Sequence, residues 1–209
     1  MALVPALLAT EMKNGLGFST LLSTSQLDSF AAAIIDHIKT GVVSNAPNTV
    51  NGSAPPSGGP LIGGTAINGT IALVSTDLEQ RIVAAIGNPS PQVIQMAVAI
   101  SSHFVTFSNI SFALITGNCT NTPTTPGVLI GEGINGTIAG LNQNLLASAI
   151  SSGIGQPNPS PELLTMCQNI ITYIQLNASV TYPPASVTAI VSAGGGPIIN
   201  GSATGGFVS

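Results

Sequence analysis

Apolar residues recur at helical spacing in three stretches of the chain. Within each stretch they follow the i, i+3, i+4, i+7 pattern of a single helix face. The positions are Leu27, Phe30, Ala31, Ile34, Ile35 and Ile38 in the first stretch, Val93, Met96, Ala97, Ile100 and Phe104 in the second, and Leu163, Met166, Cys167, Ile170, Ile171 and Ile174 in the third. This pattern predicts three similar amphipathic helices, over about residues 25–39, 91–104 and 161–175.

The starts of these main helices carry capping signals. Ser90-Pro91 and Ser160-Pro161 each place a hydroxyl side chain before a proline, which is the preferred order at a helix N-terminus. Thr24 occupies the corresponding place before the first main helix. The three boundaries are therefore predicted at equivalent points.

A shorter helix is predicted ahead of each main helix, and an extended segment after it. The shorter helices cover about residues 5–14, 76–86 and 142–152, and are expected to stop at Gly15, Gly87 and Gly153. Alternating β-branched residues predict extended segments, for example over 105–116 and 178–191. The predicted order is helix, turn, helix, extended arm.

A short marker supports the interpretation that this order is repeated. The pattern I-N-G-[ST] begins at Ile67, Ile134 and Ile199, each time after a Gly/Pro-rich stretch, and Asn-Gly is a strong turn signal. We therefore predict an α+β fold of three tandem repeats of about 66 residues. The predicted units are 1–66, 67–133 and 134–209, the last with a terminal arm.

The composition restricts the partners of such a chain. It has three Lys or Arg and seven Asp or Glu in 209 residues, with a net charge of -4. So few basic residues argue against binding nucleic acid or an anionic lipid surface.

Apolar runs are interrupted within about ten residues, short of the roughly 20 needed to span a bilayer. No signal peptide is evident, because the apolar run 2–9 has no basic segment before it. A surface poor in charge favours burial against neighbouring proteins.

One glycine motif has the spacing of a nucleotide site. Gly131, Gly133 and Gly136 fit G-x-G-x-x-G, after a strand-like segment and before a predicted helix. However, no Asp or Glu follows at about 20 residues, and the surrounding order is not βαβ. We interpret the three as glycines of a turn that joins two repeats.

His37 and His103 occupy equivalent positions of the first two main helices, and Tyr173 takes that position in the third. A paired proton-transfer or metal site is the alternative interpretation. No acidic residue recurs beside them at a useful spacing, so they are interpreted as structural residues of a helix face.

Acidic residues also recur in the shorter helices. Glu11 and Asp77 correspond, with Asn144 as the third member. Acidic side chains early in a helix complement the positive end of its dipole, which accounts for them without catalysis. No G-x-S-x-G elbow marks a nucleophile. The chain is therefore expected to be no enzyme, with no catalytic, cofactor-binding or metal-binding residues.

Cys119 and Cys167 are isolated and show no metal-ligand spacing, so free thiols of a reducing cytoplasm are expected.

The chain also contains N-x-[ST] sequons, which would be glycan acceptors in a secreted eukaryotic protein. They begin at Asn51, Asn68, Asn109, Asn118, Asn135, Asn177 and Asn200. Three of these belong to the I-N-G-[ST] marker, where they are interpreted as turn residues.

The charge-poor helices, the Gly/Pro-rich arms and the short Met-Ala start resemble small virion structural proteins of tailed bacteriophages, particularly contractile-tailed ones. The resemblance implies a capsid, neck, tail or baseplate component made in the host bacterial cytoplasm and assembled in multiple copies. Its expected partners are other copies of itself and other virion structural proteins, with no membrane, nucleic acid or small-molecule substrate. A surface adhesin or other extracellular repeat protein, and a cellular shell scaffold, are the alternatives.

Overall fold

The computed structural model of the chain describes residues 3–16, 24–87 and 90–209. Six helices and nine strands lie in those residues, and a pair of helices followed by strands occurs three times. The helices are α1 Pro5–Leu16, α2 Thr24–Lys39, α3 Ser75–Ile86, α4 Pro91–Phe107, α5 Gln143–Gly153 and α6 Pro161–Asn177. The predicted α+β class is confirmed.

The strands belong to one antiparallel sheet. They are β1 Val42–Asn45, β2 Val50–Ala54, β3 Gly59–Pro60, β4 Ile62–Ala72, β5 Asn109–Cys119, β6 Gly127–Ala139, β7 Val180–Val191, β8 Gly196–Pro197 and β9 Ile199–Val208. Six of them close into a barrel in the order β5, β6, β7, β9, β1, β4, with β4 pairing back to β5. This closure, which leaves all six barrel strands paired on both sides, was not predicted from the sequence.

The chain divides into two compact units, each made of three separate segments. The helical unit contains Met1–Gly41, Leu73–Ser108 and Gly140–Ala178. The β unit contains Val42–Ala72, Asn109–Ala139 and Ser179–Ser209. The segments of the two units alternate along the chain. The repeat boundaries predicted after residues 66 and 133 fall inside β4 and β6.

The main helices begin where the capping signals placed them. Ser90 and Ser160 each accept a hydrogen bond from the backbone N–H three residues later, at 3.3 and 3.2 Å. The cap predicted at Thr24 lies outside the described side chains, although α2 does begin at this residue. The first-turn N–H groups of α4 and α6 are thus partly satisfied as expected.

Several predicted ends are wrong by one or a few residues. The extended segment predicted from Val105 begins later, because α4 continues to Phe107 and ends at Ser108, whose backbone is extended. Gly87 ends α3 in the left-handed conformation, as predicted. Gly15 does not stop its helix, because α1 continues to Leu16, whereas α5 ends at Gly153 as predicted. β-branched residues tolerate a last helical turn, and glycine alone does not impose a stop.

The helical unit is closed upon itself. Each helix packs against the next along the chain, and α6 packs against α1. Their apolar stripes fill the interior, where Ile34, Ile38, Ile100, Ile170 and Ile174 are fully buried. One pattern of apolar spacing thus serves all three main helices.

The buried side chains of the barrel include three that lie on the strands that follow the three main helices. These side chains are Asn45, Phe112 and Tyr182. Each lies two residues further along its strand than the first member of a ladder pair, and the three pairs are Val43↔Ile71, Ile110↔Ile138 and Val180↔Val208. The Tyr182 hydroxyl donates to Asn45 Oδ1 at 2.7 Å, and the rings of Phe112 and Tyr182 are 4.9 Å apart. A six-stranded barrel is narrow, so residues opposite these side chains must be small. They are Gly69, Gly136 and Gly206.

The I-N-G-[ST] markers lie inside long strands and not in turns between repeats. Asn68, Asn135 and Asn200 have φ of 58, 55 and 53°, and ladder registers shift beside them. They are therefore β-bulge residues, a place where Asn tolerates positive φ. The third marker is also not equivalent to the others: by the ladder pairs, Gly205, and not Asn200, occupies the position that corresponds to Asn68 and Asn135. An Asn-Gly pair can therefore occupy a bulge at a non-equivalent position, which made the predicted alignment of the third arm wrong.

Candidate functional site

A hydrogen-bonded chain of three polar side chains, buried at its centre, lies within the helical unit. His37 from α2 is fully buried; its Nδ1 is 2.8 Å from Asp77 Oδ2 of α3, and its Nε2 is 2.9 Å from Ser101 Oγ of α4. Arg81, one turn after Asp77, donates from Nε to the same carboxylate oxygen at 2.8 Å. Since a carboxylate only accepts, Nδ1 carries the proton and Nε2 accepts from the Ser101 hydroxyl.

The electrostatics keep the imidazole neutral. Burial lowers the pKa of His37 below its ordinary value, against the raising effect of the hydrogen bond to Asp77. Burial alone would raise the pKa of Asp77, but hydrogen bonds from Arg81 and His37 hold it below its usual range. An ionised carboxylate thus faces a neutral imidazole, with the guanidinium as its charged partner.

The order hydroxyl, imidazole, carboxylate is that of a hydrolase triad, but its position is unsuited to nucleophilic attack. Ser101 is only 2% exposed and lies well inside α4, where backbone N–H groups bond within the helix and cannot form an oxyanion hole. What the arrangement does chemically is satisfy the polar atoms of a buried histidine. It joins three helices through one side chain.

The interpretation of His37 and His103 as plain helix-face residues is therefore incomplete. His103 Nε2 accepts a hydrogen bond from the backbone N–H of Asn142, the N-cap of α5, at 3.2 Å. Tyr173 accepts from the backbone N–H of Val4 and donates to its carbonyl, at 2.8 and 2.9 Å. Each of the three side chains links a main helix to the N-terminal end of a shorter helix or to the residue just before it, and the third link joins α6 to the residue before α1.

The acidic positions in the shorter helices differ in their surroundings. Asp77 is acidic in the first turn of α3, as the dipole argument expects, but it also binds His37 and Arg81. Glu11 is exposed and lies beyond the first turn of α1, so the dipole argument does not account for it. The backbone N–H of Asn144 bonds to the cap side chain of Asn142. The sequence contained one signal of the buried chain: Ser101 is a polar residue at a position that the stripe fills with Ile35 and Ile171 in the other main helices.

The G-x-G-x-x-G glycines are strand residues, so the interpretation as turn glycines is wrong. All three lie in β6, which pairs with β5 across this stretch. A Cβ on Gly131 would meet the carbonyl oxygen of Thr116, and one on Gly136 would lie 2.5 Å from Phe112 Cε1. Close packing against the neighbouring strand explains the lack of side chains. The glycines form no phosphate-binding turn at a helix start.

The two cysteines are free and buried, one in each compact unit. Burial raises the pKa of Cys119, and raises that of Cys167 to about 12, so both thiols are protonated at neutral pH. Across the described ranges, no group of three or more His, Cys, Asp and Glu side chains could hold a metal ion. Among the helices that the structure describes, none has the length and hydropathy needed to cross a membrane.

The outer face of the β unit exposes large apolar side chains along its strands, and we call these residues the apolar outer face. They are Val42, Ile62, Ile67, Leu114, Val128, Ile130, Ile134, Ile190, Ile199 and Phe207. The isoleucines that open the three markers belong to it and are 47 to 49% exposed. Strands that are apolar on both faces are typical of sheets covered on both sides.

Charge is distributed very unevenly between the two units. All three segments of the β unit together contain one charged side chain, that of Glu132. The other nine of the ten charged residues lie in the helical unit. Protein contact surfaces are depleted in charged residues at their centres, so the β unit has the composition of such a surface.

Comparison with protein-family models, with curated proteins and with solved structures gives no match.

Proposed function

We propose that the chain is a non-catalytic structural subunit of a multi-copy assembly, which contacts its neighbours through the apolar outer face of the β unit. The observation that carries this proposal is the combination of exposed apolar strand residues with a single charged side chain in that unit. Soluble monomers normally mix both signs of charge across such a face. Large exposed apolar patches mark interaction sites.

The finer part of the proposal is that the subunit is a covalent pseudo-trimer of three related units of about 66 residues. Two observations support it. His37, His103 and Tyr173 each link a main helix to the start of the next helix pair, and the last link closes the ring. Phe112 and Tyr182 fill the barrel from equivalent strand positions. Such a chain presents three related contact surfaces to a ring or tube.

The location that we propose is a bacteriophage virion, as a neck, tail, baseplate or capsid-associated component assembled in the bacterial cytoplasm. Support comes from the resemblance in composition and from the contact surface described above. The partners proposed are copies of the chain and other virion structural proteins.

Sedimentation velocity tests the contact surface directly. The wild-type chain is expected to self-associate in a concentration-dependent way, and to be poorly soluble. Replacing two exposed isoleucines in the variant Ile67→Lys with Ile134→Lys should shift it towards monomer, because each lysine places an unpaired charge in the contact. Thr124→Lys, at an exposed loop position of the same unit, adds charge outside the apolar outer face and serves as the control.

A wild-type chain that stays monomeric at high concentration would contradict the proposal. Equal loss of association in the Thr124→Lys control would show a general charge effect and would also contradict it. The proposed location has its own test, which is whether the chain copurifies with intact virions. Recovery from washed cells or from the medium would favour a shell scaffold or a surface protein instead.

A further inference from the structure

The β unit has a groove of about 570 Å³ on the outer side of β5 and β6. Its floor is formed by the strand segments 116–118 and 130–132, which pair with each other. Pro60 and Leu61 form one wall beside β5, and Pro184 and Ala185 of β7 form the other. The groove lies entirely within the β unit.

The shape of the groove depends on two local backbone features. Gly117 and Gly131 are paired across the floor, and a Cβ on either would meet backbone atoms of the neighbouring strand, so both positions require glycine. On the far wall, Ala185 has a φ of 66°, in the left-handed region that alanine rarely adopts. Unusual backbone held by its surroundings is concentrated at functional sites. The register of β6 and β7 shifts beside this wall, which moves Pro184 and Ala185 out of the ladder.

The groove contains Glu132, the only charged side chain of the β unit. Within the described residues its carboxylate has no ion-pair partner and no hydrogen-bonded side chain. Thr116, its register partner, and Asn118 line the same groove and add a hydroxyl and an amide oxygen. An unpaired carboxylate in an otherwise neutral, partly apolar groove is complementary to a cation with an aliphatic stem.

We propose that this groove binds a lysine side chain of a different protein in the assembly, an inference that depends on the proposed structural role. The ammonium group carries three donors and no acceptor, which matches the three oxygen-bearing side chains of Glu132, Thr116 and Asn118. Its four-carbon stem is compatible with the apolar part of the lining, which includes Leu61 and Ile130.

A second copy of this chain is a poorer source of the lysine. Each of its three basic residues already has a partner in the helical unit. Lys13 binds Asp28 at 2.6 Å, Lys39 donates to the carbonyl of Leu3 at 2.9 Å, and Arg81 binds Asp77 at 2.8 Å. Withdrawing any of them would cost an existing interaction, so the complementary cation is assigned to another protein.

The test uses the whole chain and two small probes, N-acetyl-lysine methylamide and its uncharged counterpart N-acetyl-norleucine methylamide. Methyl NMR signals of Ile130 and Ala185 report binding. The lysine probe should give saturable shifts, and Glu132→Gln should weaken its binding about tenfold or more, because a hydrogen-bonded charge pair is lost. Glu11→Gln removes an exposed carboxylate of the helical unit and should leave the titration unchanged. The norleucine probe should bind no better than the lysine probe binds to Glu132→Gln.

Absence of saturable shifts, equal binding by Glu132→Gln, or equal binding of the norleucine probe would overturn the inference. Glu132→Gln should also leave self-association unchanged in sedimentation. If it abolished self-association, the lysine would come from a second copy, and the assignment to a different protein would be wrong. A monomeric wild type that still binds the lysine probe would contradict the proposed self-association alone, so the two failures can be told apart.

Discussion

Ser101→Ala tests the buried hydrogen-bonded chain of the helical unit. The substitution removes the only donor that His37 Nε2 has among the described residues, while Asp77 still holds Nδ1. His37 is fully buried, so water does not replace the lost donor. An acceptor left unsatisfied in the interior costs about 1–3 kcal/mol, and the loss of one oxygen atom adds little cavity volume. We expect the free energy of unfolding to fall by that amount.

Urea denaturation followed by circular dichroism at pH 8 measures this change, because both histidines are neutral there. Ser102→Ala provides a matched control: it makes the same chemical change one residue later in α4, on an exposed side chain. Alanine favours helix, so the control should be neutral or slightly stabilising. A loss below about 0.5 kcal/mol in Ser101→Ala, or an equal loss in Ser102→Ala, would refute the assigned hydrogen bond.

Three further outcomes are expected. Burial lowers the pKa of His37 and His103, so near pH 6 the unfolded chain binds more protons than the folded chain. The free energy of unfolding should therefore fall as the pH drops below about 6.5. Equal stability in urea at pH 7.5 and 5.5 would contradict this. Gly136→Ala should destabilise by about 1–3 kcal/mol through contact with the ring of Phe112. Phe112→Leu should partly relieve that loss, and no relief would contradict the cause. Tyr173→Phe should cost about 1–3 kcal/mol in urea, because both hydrogen bonds between α6 and the segment before α1 disappear; an unchanged midpoint would disprove that link.

The secondary structure could be predicted well wherever local chemistry decides it. The starts of α4 and α6 follow from Ser-Pro pairs, since the hydroxyl and the fixed proline φ act on the same turn. The marker asparagines could be identified as residues tolerant of positive φ, but a turn and a bulge use the same chemistry. Only pairing with a neighbouring strand distinguishes them, and that pairing is not local.

The buried chain and the groove could not be predicted for the same reason. Asp77 and Ser101 approach His37 from two other helices, 40 and 64 positions away in sequence. The spacing of residues within one helix therefore could not indicate these contacts. The sequence did show that Ser101 is a polar residue within the apolar stripe of α4. Glu132 could be counted as a charge, but its place in a groove depends on walls from β7 and from the segment before β4.

The α+β class, the helices with their apolar stripes and the scarcity of charge follow from residue type and short-range spacing alone. The tertiary structure decided how those elements were distributed between two compact units. Strands from all three segments close into one barrel, and helix pairs from all three close into one ring. Closure depends on hydrogen bonds and packing between residues far apart in the chain, so no local pattern could indicate it. The segments that form the helical unit carry nearly all the charge, and the outer face of the β unit is apolar.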